Sequence, residues 1–140
     1  MKILLAVDGS EYTKKMLAYL ATHEELFSTH NSYTLLTVSP QLPSRARTAA
    51  GKDMVETYHR EVTKKVLRPV TKFLLRHGID AKTVAKVGHA GETISNAADS
   101  GKFDLVVMGS HGHGLWANLI MGSVATQVLA SCKVPVLLVR

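Results

Sequence analysis

The chain is poor in the residues that anchor several common protein classes. It has one cysteine in 140 residues, Cys132, which excludes an intramolecular disulfide framework. Cys132 falls in a run that reads as helix, so a buried structural thiol is expected there. No apolar stretch is long enough to span a bilayer. Met1-Lys2-Ile3-Leu4-Leu5-Ala6-Val7-Asp8 is too short, and turns acidic too soon, for a signal peptide; it reads as a first strand. The cytoplasm is then the simplest compartment. Aromatic residues make up only 6% of the chain, and none alternate with basic ones. Zinc-finger spacing and a recognition helix are missing too, which speaks against a nucleic-acid partner. There is no Gly-x4-Gly-Lys-Ser/Thr motif, no Ser-His-Asp arrangement and no nucleophile elbow.

What is present describes a soluble globular chain: 46% hydrophobic and 20% charged residues. Its length suits one domain, residues 1–140, able to bury a core without staples. The formal charge is +6. Much of the excess lies in Arg60, Lys64, Lys65, Arg68, Lys72 and Arg76, which fall on successive turns of one predicted helix. At 3.6 residues per turn this row winds slowly around the axis, and its simplest reading is a solvated helix face.

Strand and helix patterns alternate along the chain. Residues 2–7 read as a strand, and Asp8 or Ser10 can cap a helix whose inner face holds Met16, Leu17, Leu20 and Phe27. Residues 33–38 form a second strand. Residues 40–52, with Pro40, Pro43 and Gly51, read as a mobile loop. A long helix follows, with Val55, Tyr58, Val62, Val66, Val70 and Phe73 at helical spacing; Pro69 should kink it and Gly78 should stop it. Residues 81–87 alternate as a half-exposed strand, and a short helix near Glu92–Asp99 buries Ile94, Ala97 and Ala98. Then come a buried strand over 103–108, a glycine-rich loop, a helix over 124–132 and a last strand over 136–139. Five strands separated by helices imply an α/β domain: a parallel sheet covered on both faces. Ligands of such sheets bind outside the strands' carboxyl ends, where Asp8, Val38 and Gly109 fall.

The glycine loop carries the chemistry. It runs Gly109-Ser110-His111-Gly112, then nine residues, then Gly122-Ser123. It leaves a strand's end and closes on a helix N-terminus. Glycines let backbone N–H groups approach an anion, and the free N–H groups and dipole of a helix start favour negative charge. By this reading a side chain at Gly122 would stand where phosphate must approach. His111 and His113 read as loop histidines near phosphate; a metal would need further ligands that the sequence does not supply.

Gly109-x2-Gly112-x9-Gly122-Ser123 resembles the ATP-binding signature of the universal stress proteins. The resemblance covers the whole chain: Val7-Asp8-Gly9-Ser10 is similar to that family's first-strand exit, Leu35-Leu36-Thr37-Val38 to its second-strand end, and Pro135-Val136-Leu137-Leu138-Val139 to its closing strand. It implies a Rossmann-like, three-layer domain with sheet order 3-2-1-4-5, a homodimer through the last strand, and an adenine nucleotide as ligand, ATP or AMP. It also implies roles. Val38 main-chain groups would read the adenine edge, with Ala6 and Met108 as apolar walls. Asp8 would lie near the ribose or a phosphate-bound Mg²⁺ or Mn²⁺, although a helix cap explains Asp8 equally well. The amides of Gly109 and Gly112 would meet the sugar and first phosphates, with His111 beside them. Gly122, Ser123 and Val124 would hold the outer phosphates.

Two positions depart from the family pattern. His113 and Asn118 stand where basic residues are common, and neither brings a permanent charge. Triphosphate neutralisation therefore rests on backbone dipoles and a divalent ion, and AMP or adenosine becomes an alternative ligand. Trp116, in the same loop, is expected to pack over the site or at a partner surface. Three functions follow: a nucleotide-binding stress or regulatory dimer, a slow metal-dependent ATPase or nucleotide hydrolase using Asp8, or a structural dimer with an empty pocket.

Overall fold

A computed structural model describes residues 1–114, 118 and 120–140; Trp116 lies outside the described residues. The elements run β1 (Lys2–Ala6), α1 (Glu11–Thr22), β2 (Ser32–Ser39), α2 (Ser44–Ala50), α3 (Lys52–Arg76), β3 (Lys82–Val87), α4 (Ala90–Ser100), β4 (Leu105–Gly109), α5 (Ser123–Ser131) and β5 (Val136–Val139). All strand pairs are parallel, and the sheet order is β3-β2-β1-β4-β5. The order reverses between β1 and β4, which opens a crevice at their carboxyl ends.

Side-chain alternation sorts the core onto the two faces. Ile3 and Leu5 of β1, with Val7 just beyond it, join Leu35 and Val107 under Met16, Leu17 and Leu20 of α1 and Val70 and Leu74 of α3. Leu4 and Ala6 join Leu36, Val106 and Met108 against Ile94 and Ala98 of α4 and Ala125 and Val128 of α5. Each face thus buries one apolar layer, and β1 and β4 lie between both.

Several local expectations change. Phe27 is buried as expected, but in the turn beyond α1, which ends at Thr22. Residues 44–50 form a helix where a loop was expected, with no buried residue. Good helix formers, Arg and Ala among them, follow Pro43 there, and the segment shows no apolar period to betray it. The long helix runs unbroken through Pro69. Pro69 and Lys65 both face solvent, so the carbonyl that loses its donor is within reach of water. Gly78, at φ +75°, ends α3: its N–H donates to Leu75 O at 3.1 Å, and Ile79 N donates to Leu74 O at 2.9 Å. Cys132 is half-buried at the C-cap of α5 and not within the helix. Burial, reinforced by the Asp99 carboxylate 3.7 Å from Sγ, pushes its thiol above the ordinary range. No helix among the described residues is long and apolar enough to cross a membrane.

The two sheet edges differ. β3 exposes Lys82 and Lys86, charges that discourage edge pairing. β5 carries only Val136, Leu137, Leu138 and Val139, of which the first three are half-buried.

Candidate functional site

A cavity of about 360 Å³ opens at the β1/β4 crevice. Ala6, Asp8, Val38, Met108, Gly109, His111, Gly112, Gly122, Ser123 and Val124 all line it. Its walls divide in two. One half is apolar: Ala6, Leu36, Val38, Ala90, Ile94 and Met108. The other holds Asp8, Thr13, the loop from Gly109 to Gly114, and the start of α5.

The apolar half is an outcome of strand register. The β1–β2 ladder closes with Val7 N donating to Leu36 O at 2.9 Å, while Gly88 N donates to Ser39 O at 3.0 Å on the other side. Parallel pairing turns alternate residues to alternate neighbours. The Val38 N–H and C=O therefore face the β1 side, beyond the point where β1 has ended. Such a main-chain edge between apolar walls suits a flat heteroaromatic ring that offers both a donor and an acceptor.

The polar half is built on α5. Gly122 is its N-cap and supplies no side-chain cap. The N–H groups of Ser123, Val124 and Ala125 have no intrahelical acceptor by helix geometry, and all three residues line the cavity. The loop is closed by Gly122 N donating to Ser110 O at 2.7 Å, and is pinned to β5 by Ser110 N donating to Val139 O at 2.8 Å.

The glycines serve this closure. A Cβ at Gly122 would lie 3.1 Å from His111 Cα and 3.2 Å from Ser110 O, against the loop's own backbone. One at Gly109 would lie 2.6 Å from Tyr12 Cβ. Contrary to the sequence reading, the Gly122 Cβ position meets the loop itself, and a substitution there first disturbs loop geometry.

Asp8 has two occupations. Its Oδ1 accepts from Ser10 N at 2.9 Å and from Thr13 Oγ1 at 3.0 Å, while Thr13 Oγ1 accepts from Asp8 N at 3.2 Å. These bonds order the turn into α1. Oδ2 faces the loop, 2.8 Å from where a Gly112 Cβ would stand. One carboxylate oxygen thus remains turned to the cavity, enough to help hold a divalent ion whose other ligands are phosphate oxygens and water. Among the described residues no group of three His, Cys, Asp or Glu side chains can hold a metal by itself.

Sequence reasoning missed Thr13, Leu36, Ala90 and Ile94 as lining residues, and placed His113 near phosphate without its contact to Asp8. His113 Nε2 donates to the Asp8 carbonyl at 2.7 Å, tying the loop to the β1 exit across 105 residues of sequence. His111 Nδ1 is 2.8 Å from Ser110 Oγ, and its ring lies 4.7 Å from that of Tyr12, over which the Lys15 ammonium sits at 4.6 Å. No spacing rule announces contacts this remote. Among the described residues the one formal charge lining the cavity is negative, and the sequence has no Lys or Arg from Phe103 to Cys132.

The sequence profile of the Universal stress protein family matches residues 1–140. A universal stress protein of Thermus aquaticus is 30% identical over 143 residues, covering 99% of this chain and 97% of its own. One from Synechocystis is 29% identical over 139 residues; the alignment covers 99% of this chain but only 42% of that longer protein. Among solved structures, a Methanocaldococcus jannaschii protein aligns with a TM-score of 0.79 at 27% identity, over 99% of this chain and 94% of its own. An Arabidopsis thaliana family protein solved with AMP bound shares the fold, with a TM-score of 0.68 at 15% identity, over 99% and 90% of the two chains.

Proposed function

The chain belongs to the universal stress protein family, and from that premise we propose that it is an adenine-nucleotide-binding regulatory protein of the cytoplasm, acting as a homodimer. One observation carries the ligand: the start of α5, with its free N–H groups, and Val38, with its free main-chain edge, line a single cavity. The first suits phosphate and the second suits adenine. An Arabidopsis thaliana family protein solved with AMP bound supports an adenine nucleotide as the ligand class. In this reading Ala6 and Met108 flank the base. The ribose and first phosphate meet Gly109, His111 and Gly112, and outer phosphates meet Gly122, Ser123 and Val124.

Charge decides how many phosphates the site holds. AMP needs little beyond the helix start. ATP brings more negative charge to a cavity in which, among the described residues, Asp8 is the only full charge, so it needs Mg²⁺ or Mn²⁺ shared with the free Asp8 oxygen. Any hydrolysis runs far below the roughly 1–10³ per second of dedicated enzymes. Among the described residues no Lys or Arg lines the cavity to stabilise the charge that develops on a transferring phosphate.

Calorimetric titration of wild type and Asp8→Asn with AMP and ATP, with and without Mg²⁺, tests this reading. AMP should bind wild type independently of metal, and Mg²⁺ should strengthen ATP binding about tenfold or more. Asn can still accept from Ser10 and Thr13 but has no charge. Asp8→Asn should therefore keep its melting temperature, bind metal-free ATP about three- to tenfold better, and lose most of the Mg²⁺ gain. Equal ATP affinity with and without metal in both proteins would remove Asp8 from the site.

A further inference from the structure

We propose that the outer face of α3 is a docking surface for the phosphate backbone of double-stranded nucleic acid, bound without reading its sequence. Arg60, Lys64, Lys65, Arg68, Lys72 and Arg76 are all exposed. Glu61 is the only acidic residue between Arg60 and Arg76, so this stretch holds most of the chain's +6 charge. Among the described residues the only ion pair joins Lys14 to Glu11, so none of the six is neutralised by a neighbour. The opposite side of α3 is fixed to the sheet through Thr63, Val70 and Leu74. The cations therefore stand on a rigid ridge about 24 Å long.

Three features select the partner. The row Arg60, Lys64, Arg68, Lys72 and Arg76 is unsuited to a plane: residues four apart advance about 40° around a helix, about 160° in all. A flat bilayer meets only part of such a row, whereas the major groove of a duplex, wide enough to admit a helix, presents phosphates on both of its flanks. Val66, Leu67, Val70, Phe73 and Leu74 of α3 pack on the core, while its exposed apolar residues, Met54, Tyr58 and Leu75, lie apart near the two ends, so no continuous apolar face is free to enter an acyl boundary, as an interfacial helix requires. Phe73, the only aromatic residue from 60 to 76, is half-buried, and the single exposed ring of α3, Tyr58, precedes the row, so no series of rings runs along it to stack successive unpaired bases. The same lack of base-reading side chains, which argues against a sequence-specific reader, is what a backbone binder needs.

Fluorescence anisotropy with a labelled duplex of about 20 base pairs tests the surface. Wild type should bind with Kd about 10⁻⁴–10⁻⁶ M at physiological salt, and log K should fall with log salt at a slope of about −4 to −5. Lys64→Glu/Arg68→Glu/Lys72→Glu should weaken binding at least about tenfold and flatten the slope by about 3. Lys14→Glu/Lys86→Glu/Lys133→Glu changes the net charge equally, at exposed sites elsewhere, and should cost much less. Should the first triple variant fail to melt cooperatively, Lys64→Gln/Arg68→Gln/Lys72→Gln replaces it. No duplex binding at about 50 mM salt, equal losses from both triple variants, or tighter binding to phosphatidylserine vesicles than to duplex would each overturn the proposal.

Discussion

Ser123→Asp should abolish nucleotide binding while leaving the protein folded and no less stable. Ser123 is exposed and is the first residue of α5, whose start has no side-chain cap and no acidic residue in its first turn. A carboxylate there meets the same free N–H groups and dipole that the proposed phosphate would use. At a helix start such a charge stabilises by about 0.3–1 kcal/mol. For the ligand the sign reverses. The carboxylate occupies the anion site and repels a phosphate within a few ångströms, in a cavity that already holds Asp8 and no Lys or Arg. Affinity for AMP should fall by about a hundredfold or more, while the melting temperature is unchanged or slightly raised. Opposite movements of stability and affinity separate a functional helix start from a merely structural one. Wild-type affinity in the variant would mean that phosphate does not sit on α5.

The second large effect concerns assembly. The hydrogen bonds from Val106 N to Pro135 O and from Ser110 N to Val139 O show that residues 135 and 139 face β4. Alternation leaves the N–H and C=O of Val136 and Leu138 on the outer edge of β5. That edge is short, apolar and uncharged, unlike the lysine-bearing edge at β3. Pairing with its copy across a two-fold axis satisfies these groups and covers the apolar side chains. Wild type should sediment at twice the chain mass at micromolar concentration. Leu138→Pro removes an outward N–H and no bond to β4, so it should sediment as a monomer while still melting cooperatively. A monomeric wild type would refute the β5 dimer, and an undiminished dimer in Leu138→Pro would place the interface elsewhere.

The parts of this molecule that are legible in its sequence are those governed by short periods. Ile3, Leu5 and Val7 against Leu4 and Ala6 spell out a strand buried on both faces, and five such strands spaced by helices leave little choice of fold class. The spacing of Gly109, Gly112 and Gly122 places the loop at a helix start. What stays hidden depends on neighbours remote in sequence. Nothing near Gly122 says that its missing side chain makes room for Ser110 and His111, and nothing near His113 says that its ring will find the Asp8 carbonyl. The helix at 44–50 is invisible for the opposite reason: it buries nothing, so it has no apolar period to read. The sequence supports Asp8 both as a cap and as a ligand; in the structure Ser10 is the N-cap of α1, without a side-chain cap bond, and Asp8 orders the turn before it through Oδ1 while Oδ2 faces the glycine loop.

The central claim, that the cavity between β1, β4 and α5 holds an adenine nucleotide, is tested most directly by the small molecules the protein carries. Freshly purified protein, separated from free solutes and then denatured, should release AMP, ADP or ATP detectable by mass spectrometry in near-stoichiometric amount, and Ser123→Asp treated in parallel should release almost none. Equal traces from both proteins, with no calorimetric response of wild type to AMP or to ATP with Mg²⁺, would contradict it.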